Sequence, residues 1–318
     1  MMEKLNILLS VSEYDVYFKS MKEELSKYAN VDVFDNDNYS LRNYDIFIGK
    51  LLNEEKLSEA DKLKIIFAYK TGVDDFPLEK LRDKGVLLIN SHADSKIIAE
   101  YAFGLAMSLV NRIPESDRNL REGVWYKEEN DFWKSIFDMK VGLFGYGHIG
   151  KNIHKILLNN NIETYTIDRN HDYQNIHLVK NIDELIEKTD LIISSVPKTT
   201  STNNVFNINR LVNMKNKYLV NVGRSNVVNQ KDLFEALSRK MLAGAAIDTW
   251  DKKPKNKKDK LLPSLFPFHT LENVILSPHA AMRVETGHEQ YVNDITKKVI
   301  NYITKNELTD IVSFDKGY

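Results

Sequence analysis

The 318-residue chain has no cysteine. That excludes disulfide cross-links, a thiolate nucleophile and any metal site built on thiolate ligands. Net charge is nearly absent too. The 44 basic and 45 acidic side chains leave −1 at pH 7, so no extended nucleic-acid surface is expected. No apolar run approaches the ~20 residues that span a bilayer, so no membrane partner is expected. Met1 to Ser10 holds too short an apolar run for a signal peptide and reads as a first strand, so the expected location is cytoplasmic. There is no internal repeat. The one biased run, Lys252 to Lys260, is short, lacks aromatics and is offset by acids elsewhere. It reads as a solvated loop rather than a patch for nucleic acid. What is present is 42% hydrophobic and 28% charged residues, the composition of a globular protein, over a length that allows two domains.

The stretch Lys140 to Lys151 organises the second half of the chain. Val141 to Phe144 reads as a short apolar strand, and Ile153 to Leu158 as the helix that follows. Between them Gly145, Gly147 and Gly150 fall in G-x-G-x-x-G spacing. Gly145 permits the turn, Gly147 lets backbone approach a pyrophosphate, and Gly150 lets helix pack on strand. The N–H groups at the helix start then face the phosphates. A second strand, Thr164 to Ile167, ends at Asp168, where an acid holds the adenosine ribose hydroxyls. A glycine turn in some other doubly wound domain is the bland alternative. Strand, helix and acid together favour a dinucleotide.

Residues 1 to about 93 alternate strand and helix, which predicts a parallel sheet with covering helices. Strands are expected at Leu5–Leu9, Val31–Phe34, Tyr44–Gly49, Leu63–Ala68 and Val86–Ile89, with a helix over Tyr14–Tyr28. The loop Tyr69 to Asp74 leaves the carboxyl end of a strand and contains Gly72. It is either a cradle of N–H groups for an anion or an ordinary turn. Ile97 to Val110 is apolar nearly all round, so burial on several sides is expected, as in a helix linking domains or in a subunit interface. Pro114 opens a polar helix that runs to Gly123. Trp125, Phe132 and Trp133 follow, and packing is their bland role. From residue 139 six strands are expected: Val141–Phe144, Thr164–Ile167, Leu191–Val196, Tyr218–Val222, Ala243–Ile247 and Val274–Leu276. Helices fall at Asp183–Lys188, Asn209–Met214 and Gln230–Arg239. A last helix, Glu285 to Thr304, should return with Ile311-Val312 to cover the first domain. The expected architecture is therefore α/β, with two parallel-sheet domains and a cleft between them. Residues 1–93 plus 285–318 form a discontinuous substrate domain, and 94–284 a Rossmann domain carrying the dimerisation helix.

A dinucleotide domain facing a second domain suggests hydride transfer. That needs a cation for a substrate carboxylate, an acid/base for a hydroxyl proton, and exclusion of water. Arg224 follows a strand end and a glycine, amid small polar residues, and its guanidinium can grip a carboxylate in a fixed fork. His279 follows Pro278 at another strand end and titrates near neutral pH. Either alone would read as structural. Together, at strand ends of one nucleotide-binding sheet, they favour function. His92, His148 and His171 have weaker context. Asp248, at a third strand end, points to the nicotinamide side.

With these pieces in this order, the chain resembles the D-isomer-specific 2-hydroxyacid dehydrogenase family, which includes D-lactate, glycerate and 3-phosphoglycerate dehydrogenases. The likeness covers essentially the whole chain. It rests on Thr71-Gly72-Val73-Asp74, Ala99-Glu100, Gly145 to Gly150, Val196-Pro197, Asn221-Val222-Gly223-Arg224, Ala246-Ile247-Asp248 and Ser277-Pro278-His279. It implies an NAD-dependent oxidoreductase acting on a small 2-hydroxy or 2-oxo acid, D-isomer specific. Arg224 would then bind the substrate carboxylate and carbonyl, and His279 would be the acid/base. Backbone amides of Lys70, Thr71, Gly72 and Val73 would cradle the carboxylate. The cofactor would meet Tyr146, Gly147, His148, Ile149, Asp168, Arg169, Val196, Pro197, Thr202, Val222, Gly223, Asp248, His279 and Ala281. The likeness also implies a homodimer, with the 97–110 helix in the interface and the Trp125–Trp133 arm reaching the partner. Loops near Lys50-Leu51-Leu52 and His92-Ala93 would set the substrate side chain. No regulatory domain is expected after the last helix.

One position departs from the family. Its third catalytic residue is a glutamate just before a proline, and here Lys253 precedes Pro254. A lysine cannot orient the imidazole or favour its protonated form. Asp251 could substitute by a local shift of the loop. Lys253 could swing into solvent and leave His279 unassisted and slow. Or catalysis could be vestigial in a non-catalytic NAD(H)-binding regulatory or scaffold protein, as in the corepressor branch of that family. Arg224 and His279 argue for the enzyme, and a weak or altered dehydrogenase is the favoured expectation. Formate and phosphite dehydrogenases share the architecture, though no residue selects them. Asp168 accepts a ribose 2′-hydroxyl and repels a 2′-phosphate, so NAD is expected over NADP, although Arg169 beside it can meet that phosphate.

Overall fold

The computed structural model describes residues 4–11, 16–34, 39–50, 52–125, 132–169, 173–256 and 258–318. Tyr14 at the expected start of the first helix, Leu51, His171 and the middle of the Trp125–Trp133 arm lie outside them. In chain order the elements begin β1 (Asn6–Ser10), α1 (Val16–Leu25), β2 (Asn30–Phe34), β3 (Ile46–Gly49), α2 (Glu54–Ser58), β4 (Ile65–Ala68), α3 (Leu78–Asp83) and β5 (Leu87–Ile89). There follow α4 (Ser95–Val110), α5 (Ile113–Arg121), β6 (Val141–Phe144), α6 (His148–Asn159), β7 (Thr164–Ile167), β8 (His177–Val179), α7 (Ile182–Lys188) and β9 (Leu191–Ser194). The rest are α8 (Ile208–Leu211), β10 (Tyr218–Asn221), α9 (Gln230–Ser238), β11 (Gly244–Ile247), β12 (Val274–Leu276) and α10 (Gly287–Lys305). The chain divides into two compact units. One is Met1–Asp94 with Val284–Tyr318, the other Ser95–Arg283.

In the first unit five parallel strands run in the order β2-β1-β3-β4-β5. Side chains alternate across a pleated strand, so each strand feeds two cores. Ile7, Leu9, Ile46, Ile48 and Phe67 face α1 and α10, where Phe18, Met21, Ile295 and Val299 meet them. Leu8, Phe47, Ile66 and Leu88 face the other way, onto Leu57 of α2 and Leu81 of α3. Strands covered on both faces read as continuous apolar runs, which is why they were legible. The tail returns to the sheet. Ile311 bridges Ile89, and the Val312 N–H donates to the Leu88 carbonyl at 2.8 Å.

The second unit holds seven parallel strands in the order β12-β11-β10-β9-β6-β7-β8. Six were expected. The missed one is β8, a three-residue edge strand with two exposed positions that carries no apolar signal. With it, the sheet has the order of a complete dinucleotide-binding fold plus one strand. Val141, Leu143, Leu191, Ile193 and Val220 pack under α4 and α6. Phe144, Ile192, Leu219 and Ile247 pack under α7 to α9. Each fully buried Leu, Ile or Phe here contributes about 1.5–3 kcal/mol.

The 97–110 helix was expected to be buried on several sides, in a domain link or a subunit interface. In α4 the buried side is Ile98, Ala99, Ala102, Leu105, Ala106, Leu109 and Val110. Gly104 is exposed and Phe103, Met107 and Ser108 are half-buried, so one side of the helix stays open. The aromatics beyond α5 do not pack within the chain either. Trp125, Phe132 and Trp133 are 75%, 77% and 60% exposed.

Candidate functional site

The turn from β6 into α6 shows why three glycines stand where they do. Gly145 has φ +111°, which side chains rarely adopt. A Cβ on Gly150 would lie 2.0 Å from the Gly145 carbonyl oxygen, so only glycine lets helix and strand approach this closely. Gly147 is different. It caps α6 at φ −79°, and a Cβ there would meet nothing within 4 Å. The chain therefore keeps an open space beside backbone at a helix N-terminus, where first-turn N–H groups have no partner within the helix. A pyrophosphate fits that space and that polarity. His148 and Ile149 are the first two helical residues, and Tyr146 packs beneath against Tyr173, with ring centroids 5.3 Å apart.

The remaining predicted cofactor residues sit along the carboxyl ends of the same sheet. Asp168 and Arg169 follow β7, both exposed. The Asp168 N–H donates to the Val179 carbonyl at 3.0 Å, and the Arg169 N–H to the Tyr173 hydroxyl at 2.6 Å. Val196 and Pro197 follow β9, and the Thr202 hydroxyl donates to the Pro197 carbonyl at 2.7 Å. Gly223, after β10 and Val222, is another forced glycine: its Cβ would lie 2.5 Å from the Val196 carbonyl oxygen.

Arg224 and His279 also lie in this unit, just past β10 and β12. Asn221, fully buried at the end of β10, shapes the arginine loop. Its side-chain amide donates to the Arg224 carbonyl at 3.0 Å and to the Thr249 hydroxyl at 3.2 Å, and its Oδ1 accepts from the Gly223 N–H at 3.3 Å. The histidine turn is held by Asp248, which has no exposed surface. Its carboxylate accepts from the Ser277 hydroxyl, from the Ala280 N–H at 2.7 Å and from the Ala281 N–H at 3.3 Å. Trp250 adds an indole N–H to the Ser277 carbonyl at 2.9 Å, and the Tyr101 and Ser277 hydroxyls meet at 2.9 Å. Between these anchors His279 adopts φ +55°, an uncommon conformation for a non-glycine residue that its surroundings must impose.

Electrostatics at His279 run one way. Burial lowers its pKa first, Lys253 lowers it further, Asp248 alone opposes, and Arg224 and Arg283 again lower it. Asp251, the expected stand-in for a glutamate, is exposed and is not among these charges. The acid that acts on the imidazole is Asp248. That residue, expected at the nicotinamide side, has both oxygens engaged by the 277–281 turn.

In the first unit the loop Lys70 to Val73 follows β4. Its carbonyls are held: Lys70 O accepts the Ser91 N–H at 3.1 Å, Thr71 O the Asn90 amide at 2.7 Å, and Val73 O the Phe76 N–H at 3.1 Å. The Lys70 ammonium pairs with Asp75. The Thr71 N–H is directed to the Tyr291 hydroxyl, while the N–H groups of Gly72 and Val73 make no hydrogen bond among the described residues.

Sequence reasoning passed over Asn221, Ser277 and Tyr101 as positioning residues. Each acts across a gap in sequence of up to 176 residues, which no local pattern reports.

Comparison with known proteins agrees with this geometry. The family model for "D-isomer specific 2-hydroxyacid dehydrogenase, NAD binding domain" matches residues 103–281. The chain is 30% identical to a glyoxylate reductase of Thermofilum pendens over 240 residues, covering 72% of this chain and 69% of that protein. It is 28% identical to a D-3-phosphoglycerate dehydrogenase of Methanocaldococcus jannaschii, covering 98% of this chain and 57% of that one, so it spans little more than half of that relative's length. Among solved structures, the PH0520 protein of Pyrococcus horikoshii superposes with a TM-score of 0.82 at 26% identity, over 98% of this chain and 95% of that one. The matched segment runs from α4 through the glycine turn, Asp168, Arg224 and His279. By these residues and their arrangement, the chain belongs to the D-isomer specific 2-hydroxyacid dehydrogenase family.

Proposed function

We propose that this chain is an NAD(H)-dependent oxidoreductase of small 2-hydroxy and 2-oxo acids of the D series. One observation carries the reading. Arg224 and His279 follow the carboxyl ends of β10 and β12, the two strands that flank β11 in the sheet that bears the glycine turn, and the Arg224 charge is among those that lower the His279 pKa. A carboxylate gripped by Arg224 presents its adjacent carbonyl or hydroxyl to His279. Gly147, His148 and Ile149 would hold the pyrophosphate of a nicotinamide nucleotide and Asp168 its ribose, and that group, when bound, would supply or accept the hydride. In reduction, protonated His279 gives its proton to the carbonyl oxygen. In oxidation, the neutral ring takes the hydroxyl proton. In the first unit, the N–H groups of Gly72 and Val73 are the proposed donors to a carboxylate.

NAD is the proposed cofactor because Asp168 would repel a 2′-phosphate. A homodimer is the proposed assembly. The open side of α4 at Gly104 and Met107 and the exposed Trp125, Phe132 and Trp133 form an apolar surface that a second copy would cover. The test is NADH oxidation by the purified protein against a panel of 2-oxo acids, with NADPH in parallel and the product's configuration assigned. D-configured product from NADH supports the reading. An L product, or NADPH used better than NADH, contradicts it.

A further inference from the structure

Behind the Lys70–Val73 loop lies a buried polar group that the chemistry above does not use. Asp94 is a carboxylate with 3% of its surface exposed, and burying such a charge is costly unless it is hydrogen-bonded. Its Oδ1 accepts from the Thr71 hydroxyl at 2.7 Å, and its Oδ2 accepts from the Tyr291 hydroxyl. Thr71 Oγ1 also lies 2.8 Å from the Ser91 carbonyl oxygen and 3.2 Å from the Tyr291 hydroxyl. Tyr291 itself is buried in the core of α10. A second chain of contacts backs the first. The Ser91 hydroxyl donates to Asp294 at 2.6 Å, and the buried Lys298 ammonium reaches Asp294 at 2.8 Å, Asp310 at 2.7 Å and the Asn90 carbonyl at 2.9 Å.

The placement of Thr71 gives this network its meaning. Its side chain and its own N–H both turn back into the unit toward Tyr291, and the two unpaired donors of the loop, on Gly72 and Val73, follow directly after it. An anion cradle works only if its donors are aimed before the anion arrives, because reorganisation on binding weakens affinity. A loop of this kind, rich in freedom at Gly72, needs something rigid to aim it. We infer that Asp94 and Tyr291 are positioning residues. Through Thr71 they hold the Gly72 and Val73 amides in the conformation that receives the substrate carboxylate. This rests on the dehydrogenase reading above and adds to it the residues that preorganise the carboxylate site. Asp94 is the last residue of the first unit before the chain crosses into the second, and Tyr291 lies in the first helix after it returns. The donors are therefore pinned from both crossings.

The test uses Tyr291→Phe, which removes one hydroxyl and keeps the buried ring, and Thr71→Val, with Thr71→Ser as the rescue. In both losses the KM for a 2-oxo acid should rise about tenfold, the scale of one charge-assisted hydrogen bond. The kcat and the NADH affinity should stay within about twofold, and Thr71→Ser should recover the wild-type KM. The double variant should be no worse than either single one, because both act through Asp94. Amide hydrogen exchange at Gly72 and Val73 in the free protein should accelerate about tenfold in Tyr291→Phe. Unchanged exchange overturns the inference, and so does faster exchange with an unchanged KM, which would leave the triad merely structural. A wild-type chain that reduces no 2-oxo acid overturns the dehydrogenase reading instead, and the exchange rates still decide whether the triad holds the loop.

Discussion

Gly147 and Gly150, three positions apart in sequence but different in role, provide a separable test of the cofactor cradle. Gly147→Ala places a methyl where no atom lies within 4 Å, at a backbone angle that alanine accepts. The fold should lose less than about 1 kcal/mol, from alanine's poorer performance as an N-cap. The same methyl occupies the space the pyrophosphate needs. Losing one hydrogen bond to a charged oxygen costs about 1.5–3 kcal/mol, so NADH affinity should fall about 10- to 150-fold. Gly150→Ala has the opposite profile. Its Cβ would sit 2.0 Å from the Gly145 carbonyl oxygen, and backbone rather than a flexible side chain must move. Overpacking of this kind costs about 1–3 kcal/mol, or a fall in melting temperature of roughly 2–12 °C for a unit of this size. Thermal melts by circular dichroism and NADH fluorescence titrations measure both quantities without a substrate. If Gly147→Ala binds NADH within threefold of wild type, the cradle is misplaced. If Gly150→Ala melts with the wild type, the close approach is not real.

The depressed pKa of His279 fixes the pH behaviour. Reduction requires the imidazolium, so its kcat/KM should be highest at low pH and fall as pH rises through a midpoint below the ordinary histidine value of 6.5; oxidation should rise through the same midpoint. Lys253→Glu replaces a charge that lowers this pKa by one that raises it, so both profiles should move toward neutral pH; a midpoint above 6.5 in the wild type, or no movement in the variant, contradicts the assignment. Asp168→Ala removes the charge that repels a 2′-phosphate, and the preference for NADH over NADPH should narrow at least tenfold, about 1.4 kcal/mol, in paired titrations. Gly104→Arg fills the open side of α4 without touching the buried one, and sedimentation should show a homodimer becoming monomeric with its melting curve otherwise intact.

Much of the fold was legible because buried parallel strands leave short, unbroken apolar runs. Ile46 to Gly49, Ile65 to Ala68 and Val141 to Phe144 are buried throughout and announce themselves. His177 to Val179 is an edge strand with one buried residue and was passed over. The helices at Glu54 and Leu78 were missed for a similar reason: five and six residues give too few turns for a periodicity. The 97–110 helix was legible as apolar, but its composition does not separate a surface open to a partner from one buried in the chain.

The site was legible where chemistry is local. The glycine spacing, Arg224 after its glycine and His279 after its proline each belong to one strand end. Asp251 was read as a stand-in from sequence proximity alone; it is exposed and is not among the charges that shift His279. The acid whose charge raises the His279 pKa is Asp248, whose carboxylate also accepts the Ser277 hydroxyl 29 residues away. The Thr71–Asp94–Tyr291 cluster joins residues as much as 220 positions apart, a separation that only the folded sheet can close.

The central claim is that Arg224 and His279 form one working pair on a nicotinamide-binding sheet. The most direct measurement is steady-state reduction of the best 2-oxo acid by NADH in Arg224→Ala and His279→Asn, with the NADH dissociation constant of each. Asparagine is chosen because it tolerates the φ of +55° at that position. The account predicts a loss of kcat/KM of at least about 100-fold in each variant, with NADH binding unchanged within threefold. Either variant turning over like the wild type, with NADH bound normally, would contradict it.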